Sequence, residues 1–405
     1  MKKLIKNIGV WILVAMIAGV VVGFTMGEEA KMFAPLGALF IQLIKMLVVP
    51  LIGVSIISGA ASLGSSSSAG KIGATSIAYI LLTTIFSIVI AFVIGLIFKP
   101  GAGLSSEGIA SIMASASTEQ SMPAEFSVWG TIIDMIPTNP IEALAKGEVL
   151  QIIVFGLFLG FGIAALEENK RSKIVGGLNY LLEALIWCIG KVMLVAPIGV
   201  FGLMAEAMGT YGFDILLKVA NLFWVFLIAV VIMGLIVYPS TVALLSKISL
   251  KDFFSAMLRP QIVAFSTASS MATLPVTMDA CDRMGISKEV TGFVVPLGAT
   301  INMTGNAIYY TLVALFFAQF YGIELGTAQY IAITIVGTLG SIGHAGVPGP
   351  TLMVVAVLAV AGIPIEGLPL LYALDRVFDM IRTVLNVTGD TACAAVTDRL
   401  AKNKL

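Results

Sequence analysis

The chain has 405 residues, 59% of them hydrophobic and 11% charged, with 23 basic and 23 acidic side chains and a mean hydropathy of +1.04. A soluble domain averages about 25% charged residues, so this composition excludes an ordinary water-soluble domain, and a formal net charge of zero offers nothing to nucleic acid. The apolar runs are long and do not alternate, which excludes a β-barrel and predicts an all-α polytopic membrane protein.

The chain opens on MKKLIKNIGVWILVAMIAGVVVGFTMG. A basic start before an apolar run resembles a secretory leader, but the run is too long for one and no small-residue cleavage site follows. Residues 8–27 therefore predict a first membrane helix that stays attached. Further spans are expected at about 33–62, 72–98, 148–166, 174–205, 216–246, 289–321 and 367–397. Several exceed the ~20 residues a bilayer needs, which predicts tilt. Cys188, Cys281 and Cys393 show no metal or disulfide spacing and are expected to pack between helices. Lys45 and Lys191 fall inside spans, where they are expected to snorkel or pair.

Two apolar segments are interrupted. Residues 257–280, MLRPQIVAFSTASSMATLPVTMDA, flank a Ser/Thr-rich centre. Residues 329–362 flank Gly340, Gly343, Gly346, Pro348, Gly349 and Pro350, a density of helix breakers that ends a helix. Each predicts a re-entrant hairpin, and paired interrupted segments point to a transporter's binding site. With eight crossings and both hairpins returning to their own side, 15 Lys/Arg fall on the side of the termini, against Lys31, Lys99, Lys146 and Lys218 on the other. The basic side is expected to be cytoplasmic, which makes residues 99–147 an external loop.

The last span carries Asp375, Asp379, Arg382, Asn386 and Asp390. At ~100° per residue these five share a stripe about 80° wide, and such a stripe cannot face lipid, where one charge costs at least about 2.5 kcal/mol. An ion-pair network that only locks helices together would explain Asp375. It does not explain the whole stripe, because acids outnumber bases even with Arg376 added. A cation is expected to make up the deficit, held by carboxylate, amide and carbonyl oxygens. The stretch ATINMTGNAIYY, residues 299–310, interrupts the seventh span with Asn302, Thr304, Gly305 and Asn306 and would supply such oxygens from unwound backbone. Arg382 points to a carboxylate ligand and Asp379, one turn earlier, to an ammonium, together a zwitterion with a second acidic group. The first tip, Ser266–Ser270, offers N–H groups at a half-helix start, or small polar groups for interhelical hydrogen bonds. Gly346-Val347-Pro348-Gly349 offers a tip that could close over a ligand. His344, the one histidine, is expected at that tip, its carbonyl mattering more than its ring.

The segments STASSMATLP, NMTGN, SIGHAGVPG and DMIRTVLNVTGD resemble, in order, the four signature segments of the dicarboxylate/amino acid:cation symporters, the family of the excitatory glutamate transporters and their prokaryotic homologues. The likeness extends to IPTNPIEALAKGEVL and APIGVFGLMAEAM. It implies eight membrane helices plus two opposed hairpins, with inverted repeats, assembled as a homotrimer. Residues 1–70 would be scaffold helices 1 and 2, 71–98 helix 3 of the transport domain, and 99–215 the external loop with scaffold helices 4 and 5. Residues 216–405 would be the transport core: helix 6, hairpin 1 (about 251–284), helix 7 (about 289–321), hairpin 2 (about 329–362) and helix 8 (about 367–397). The transport domain would move like an elevator.

The resemblance also implies site residues. Asp379 would hold the substrate ammonium and Arg382 its side-chain carboxylate; Ser270 and Val347 would meet the backbone carboxylate, with Asn386, Thr383 and Asn306 completing the site. One sodium site would use Asp390 and Asn386 with carbonyls of Gly298 and Asn302. A second would use carbonyls of Thr300, Ser341, Ile342 and His344, and Thr83 and Thr84 would be part of a third. Two departures matter. Thr304 stands where the family usually has an acid, which removes the charged ligand of the third site and predicts fewer coupled cations. Asn306 replaces the threonine that touches the substrate side chain; the serine/threonine carriers also lack the acid missing at Thr304, although neutral-substrate branches generally lack the arginine kept as Arg382. The arginine missing from the first hairpin, at Ala268, would be supplied by Arg376.

The expected protein is thus a symporter of the cytoplasmic (inner) membrane, both termini inside, importing aspartate or glutamate with sodium. No cofactor is expected, sodium ions being coupled substrates. The rival readings are a sodium-coupled serine/threonine carrier and a proton-coupled acidic amino acid carrier. C4-dicarboxylates fit less well, since Asp379 would face a substrate without an ammonium. An intramembrane protease using Asp379 and Asp390 lacks a Gly-x-Gly-Asp motif and has both acids on one helix; the chain is not expected to be an enzyme.

Overall fold

A computed structural model describes residues 8–62, 69–103, 136–342, 352–365 and 374–402, together with Ile133, Leu368 and Leu371. All regular structure among them is helical. In chain order the helices are α1 (Ile8–Met26), a 3-10 link Gly27–Phe33, α2 (Ala34–Ser62), α3 (Ala69–Phe98), the short α4 (Pro140–Lys146), α5 (Val149–Ala164) and α6 (Glu168–Val192). Then come α7 (Ala196–Ile232), a π-helical turn Met233–Val237, α8 (Tyr238–Leu245), α9 (Leu250–Thr267), α10 (Ser270–Arg283), α11 (Lys288–Ile301) and α12 (Thr304–Tyr321). The chain finishes with α13 (Thr327–Ile342), α14 (Leu352–Val360) and α15 (Asp375–Lys402).

Four described stretches are long and apolar enough to cross a membrane: Lys71–Phe98, Glu168–Val192, Leu217–Leu245 and Lys288–Tyr321. Their burial differs in a telling way. The window in Lys288–Tyr321 is wholly enclosed by protein, whereas that in Lys71–Phe98 is 44% buried and turns side chains such as Leu82 outward, 69% exposed. The helix with the polar interruption is the inner one. This is the placement the physics demands, because unwound backbone at membrane depth is tolerated only against protein or a polar cavity.

Expected boundaries shift where local chemistry intervenes. The single span at 174–205 is instead α6 and the start of α7, parted by the 3-10 turn Met193–Val195. The helix restarts there because Pro197 sits in its first turn, where its missing N–H costs nothing. α7 itself is broken at Gly212 (φ 73°, ψ −175°). The last helix begins at Asp375 rather than near residue 367. Residues 140–146 form α4, capped by Asn139, which accepts from the N–H groups of Ile141 (3.1 Å) and Glu142 (3.3 Å).

Packing falls into two sets. α1, α2 and the Gly27–Phe33 link lie against α7, and α2 also packs on α5 and α6. α12 is enclosed by α3, α7, α13, α14 and α15, while α9, α10 and α11 pack on α15 and α10 on α9 and α11. Phe226, Tyr309, Tyr310, Phe316 and Phe317, all below 2% exposed, fill the centre. Side-chain hydrogen bonds tie α15 to its surroundings: Gln261 Nε2 donates to Thr388 Oγ1 (3.1 Å), and the Ser76 and Thr397 hydroxyls lie 3.1 Å apart.

Candidate functional site

Site geometry starts with two helix breaks. At the first, α9 ends on Ala268 in the left-handed region (φ 49°) and Ser269 is extended (φ −146°, ψ 114°). A side chain in the left-handed region costs on the order of 1 kcal/mol, so surrounding structure holds this reversal. Ser269 caps α10, its hydroxyl accepting from the Ala272 N–H at 3.2 Å. The expected N–H nest at STASS is therefore partly self-satisfied, and Ser270 sits buried at the start of α10.

The second break parts α11 from α12 at Asn302 (φ −95°, ψ 73°) and Met303 (φ −105°, ψ 51°). It coincides with the predicted NMTGN stretch. Asn302, Thr304 and Asn306 are all at most 1% exposed, and each finds a partner. Asn302 Nδ2 donates to Asp390 Oδ1 (2.8 Å) and to the Asn386 carbonyl (3.4 Å). Thr304 Oγ1 donates to Asn302 Oδ1 (3.0 Å) and accepts from the Tyr238 hydroxyl (2.8 Å). Asn386 Oδ1 accepts the Gly305 N–H (2.8 Å), and Asn386 Nδ2 donates to Asn306 Oδ1 (3.2 Å). Asn306 Nδ2 in turn donates to the Tyr310 hydroxyl (3.3 Å). The polar face of α15 is thus laced to the break between α11 and α12 by amide donors and acceptors, one bond ending on the Asp390 carboxylate.

The stripe on α15 is buried in full: Asp375 7%, Asp379 5%, Arg382 1%, Asn386 2% and Asp390 1% exposed. Charge is unevenly met. Arg382 Nη2 lies 3.1 Å from Asp375 Oδ1 and 3.2 Å from Asp379 Oδ1, and the guanidinium carbon sits 4.4 Å from the centre of the Tyr309 ring. Asp379 is therefore engaged by Arg382, a pairing the helical projection did not predict. Arg382 Nε is buried without a hydrogen-bond partner among the described residues. Asp390 accepts from Asn302 and has no basic side chain in ion-pair range among the described residues. One guanidinium serves two acids and a third is met by an amide.

The remaining site residues divide. Gly298 abuts Asp390: a Cβ there would lie 2.5 Å from Asp390 Oδ1. Thr383 Oγ1 donates to the Asp379 carbonyl (2.8 Å). Thr300, Ser341 and Thr83 turn their hydroxyls back on their own helices, onto Leu297 (2.8 Å), Thr338 (2.7 Å) and Tyr79 (2.9 Å). Thr84 on α3 is fully buried and its hydroxyl has no hydrogen-bond partner among the described residues. Ile342 ends α13. Val347 and His344 lie outside the described residues, as does the side chain of Arg376.

Residue-type reasoning missed Tyr238, Tyr309, Tyr310 and Gly389. Tyr238 follows the π-helical turn Met233–Val237, a device that reorients the residues after it and marks functional sites. Gly389, immediately before Asp390, lets three elements meet: a Cβ there would fall 2.4 Å from the Tyr238 hydroxyl and 2.7 Å from Asn302 Nδ2. Gly389→Ala is accordingly expected to cost about 1–3 kcal/mol by overpacking and to lower the unfolding temperature of the purified protein. Gly292→Ala, with nothing within 4 Å of its Cβ, is expected to leave that temperature unchanged or raise it slightly. Equal melting curves for the two variants would contradict the close packing described.

Residues 8–400 match the model of the sodium:dicarboxylate symporter family. The chain is 33% identical over 408 residues to the proton/glutamate-aspartate symporter of Escherichia coli (strain K12), covering 98% of this chain and 93% of that protein. It is 33% identical over 390 residues to the proton/sodium-glutamate symport protein of Bacillus caldotenax, covering 95% and 92%. It is also 33% identical over 391 residues to the C4-dicarboxylate transport protein of Bacillus subtilis (strain 168), covering 96% and 92%. With a family match across nearly its whole length and relatives 33% identical over at least 95% of the chain, the chain belongs to the sodium:dicarboxylate symporter family.

Proposed function

We propose that this protein is a secondary active symporter that carries an acidic amino acid, aspartate or glutamate, together with a coupled cation. The observation that supports this best is Arg382 held between Asp375 and Asp379. A substrate carboxylate that takes the guanidinium competes with these acids for it in a buried site, where weakening a paired charge costs several kcal/mol. An acidic amino acid brings the remedy with it: its ammonium takes Asp379 as its side-chain carboxylate takes Arg382. A C4-dicarboxylate has no ammonium to offer Asp379, although a relative carries a C4-dicarboxylate name.

The coupled cation belongs beside Asp390. A fully buried carboxylate met only by an amide is costly unless a cation or proton accompanies it. Sodium is the ion we assign, held by Asp390 and Asn386 with the carbonyls of Gly298 and Asn302. A second sodium would use the carbonyls of Thr300, Ser341, Ile342 and His344 as the α13–α14 tip closes. Proton coupling is the second reading, because two relatives carry proton in their names. At Thr304 the hydroxyl is already engaged by Tyr238 and Asn302, which supports fewer coupled cations than a site with an acid there. Movement would follow the two packing sets, residues 1–70 and 99–215 as scaffold and residues 71–98 and 216–405 as transport domain, in a trimer of the cytoplasmic membrane with both termini inside.

The test is uptake into proteoliposomes. Aspartate or glutamate is expected to accumulate under a sodium gradient, and neither serine nor succinate at tenfold excess is expected to compete fully. Full competition by serine would establish the neutral amino acid carrier instead, and full competition by succinate the dicarboxylate carrier. Uptake driven by a pH gradient without sodium would establish the proton. In the same assay Tyr238→Phe, which removes one hydrogen bond worth about 1 kcal/mol, is expected to raise the sodium concentration for half-maximal uptake several-fold while leaving the maximal rate near wild type.

A further inference from the structure

Asn386 stands one turn after Arg382 and one turn before Asp390 on α15, between the groups assigned above to substrate and to cation. Its side-chain amide is fully engaged. Oδ1 accepts the Gly305 N–H (2.8 Å), while Nδ2 donates to Met303 Sδ (3.1 Å) and to Asn306 Oδ1 (3.2 Å). Asn306 Nδ2 donates in turn to the Tyr310 hydroxyl (3.3 Å), one turn further along α12. Asn386, Asn306 and Tyr310 are at most 2% exposed. This chain of bonds has one direction. The Gly305 N–H belongs to the backbone at the helix break and only donates, so it draws the oxygen of Asn386 toward itself. The Asn386 nitrogen is left for Asn306, whose oxygen must face it and whose own nitrogen must face Tyr310. Turning either amide over would set donor against donor in a buried site. The two amides therefore hold one orientation together.

Both ends of the chain reach the charged groups. Gly305 packs directly on the α15 backbone: a Cβ there would lie 2.8 Å from the Arg382 carbonyl oxygen and 3.1 Å from Asn386 Oδ1. Tyr310 adjoins Tyr309, whose ring lies 4.4 Å from the Arg382 guanidinium carbon. Toward the cation, Asn302 Nδ2 bonds the Asn386 carbonyl (3.4 Å) as well as Asp390 Oδ1 (2.8 Å). A cation that takes oxygens of Asp390 and Asn386 competes with the Asn302 and Gly305 donors for them. Any shift of Gly305 is passed to the backbone of Arg382, and the amide chain decides which end of Asn386 the cation meets.

We propose that Asn306, oriented by Tyr310, is a positioning residue that makes substrate affinity depend on the bound cation, by holding the oxygen of the Asn386 amide toward the helix break. The proposal rests on the reading of Arg382 as the substrate anchor and Asp390 as the cation anchor. The test measures aspartate affinity of the purified full-length protein at saturating and at limiting sodium, and sodium affinity with and without aspartate. The two ratios must agree, because coupling between two ligands is reciprocal. Asn306→Ala, which lets the Asn386 amide turn, is expected to lower this coupling ratio about tenfold, and Tyr310→Phe several-fold. Sodium binding to Tyr310→Phe without aspartate is expected to stay near wild type. A merely structural role lowers both aspartate affinities alike and leaves the ratio unmoved. Tyr310→Phe keeps the ring and supplies the answer if Asn306→Ala does not fold. A wild-type coupling ratio in the folded variants overturns the role of Asn306 and leaves the proposed function standing. A wild-type protein whose aspartate affinity depends on neither sodium nor pH overturns the coupled-cation reading and the role of Asn306 with it.

Discussion

Arg382→Ala is expected to abolish uptake of aspartate and glutamate, lowering transport at least about 100-fold, since truncating one member of a buried charged pair costs roughly 2–5 kcal/mol. Two losses coincide. The substrate carboxylate has no other guanidinium on the α15 stripe to receive it, and Asp375 and Asp379, both within 3.2 Å of the Arg382 guanidinium, confront each other without their shared counterion. Arg382→Lys is expected to recover only part of the activity: it restores the charge, but a single ammonium cannot reach two carboxylates and a ligand with the planar fork that stacks on Tyr309. Uptake is measured in proteoliposomes, with the melting curve of each variant as the check on folding. A folded Arg382→Ala protein that still concentrates aspartate at the wild-type rate contradicts the role given to this side chain.

Asp390→Asn carries the second large effect. The substitution keeps the shape and can keep the hydrogen bond from Asn302 Nδ2, now 2.8 Å from the carboxylate oxygen, so packing is little disturbed while one buried negative charge disappears. The sodium concentration for half-maximal uptake is expected to rise tenfold or more, about 1.4 kcal/mol or greater in cation binding. If a proton is the coupled ion, the same variant flattens the dependence of uptake on pH. An Asp390→Asn protein with unaltered dependence on both sodium and pH would show that the cation is held elsewhere.

The stripe was legible because a helix repeats every 3.6 residues and lipid admits no charges. Asp375, Asp379, Arg382, Asn386 and Asp390 could share a face only if that face was buried, and all five are. The break before Thr304 was legible for a related reason, since Asn302, Thr304 and Asn306 have no place on a lipid-facing helix. The tip at Ala268 and Ser269 was visible as a polar island between apolar flanks.

Other features had no such signal. A π-helical turn has no compositional mark, so the approach of Tyr238 to Thr304 could not be inferred from VYPST. The interruption at Met193–Val195 was hidden in an unbroken apolar run, with Pro197 as its one trace. The partition of Arg382 between Asp375 and Asp379 is decided by rotamers and the Tyr309 ring, which helical projection does not contain. Ser270 and the oxygens of Thr300 and Ser341 took their roles from family resemblance, and those roles remain proposals. Val347 and His344 fall outside the described residues.

The proposed coupled cation would meet the charge of Asp390, which has an amide and no basic side chain beside it among the described residues. Equilibrium binding of aspartate to the purified protein, measured across a range of sodium concentrations at several fixed pH values, addresses it most directly. Affinity is expected to climb steeply with sodium, or with acidity where protons take its place, because neither Asp390 nor the bound zwitterion is neutralised by the protein alone. Aspartate affinity that is the same at every sodium concentration and every pH would contradict it.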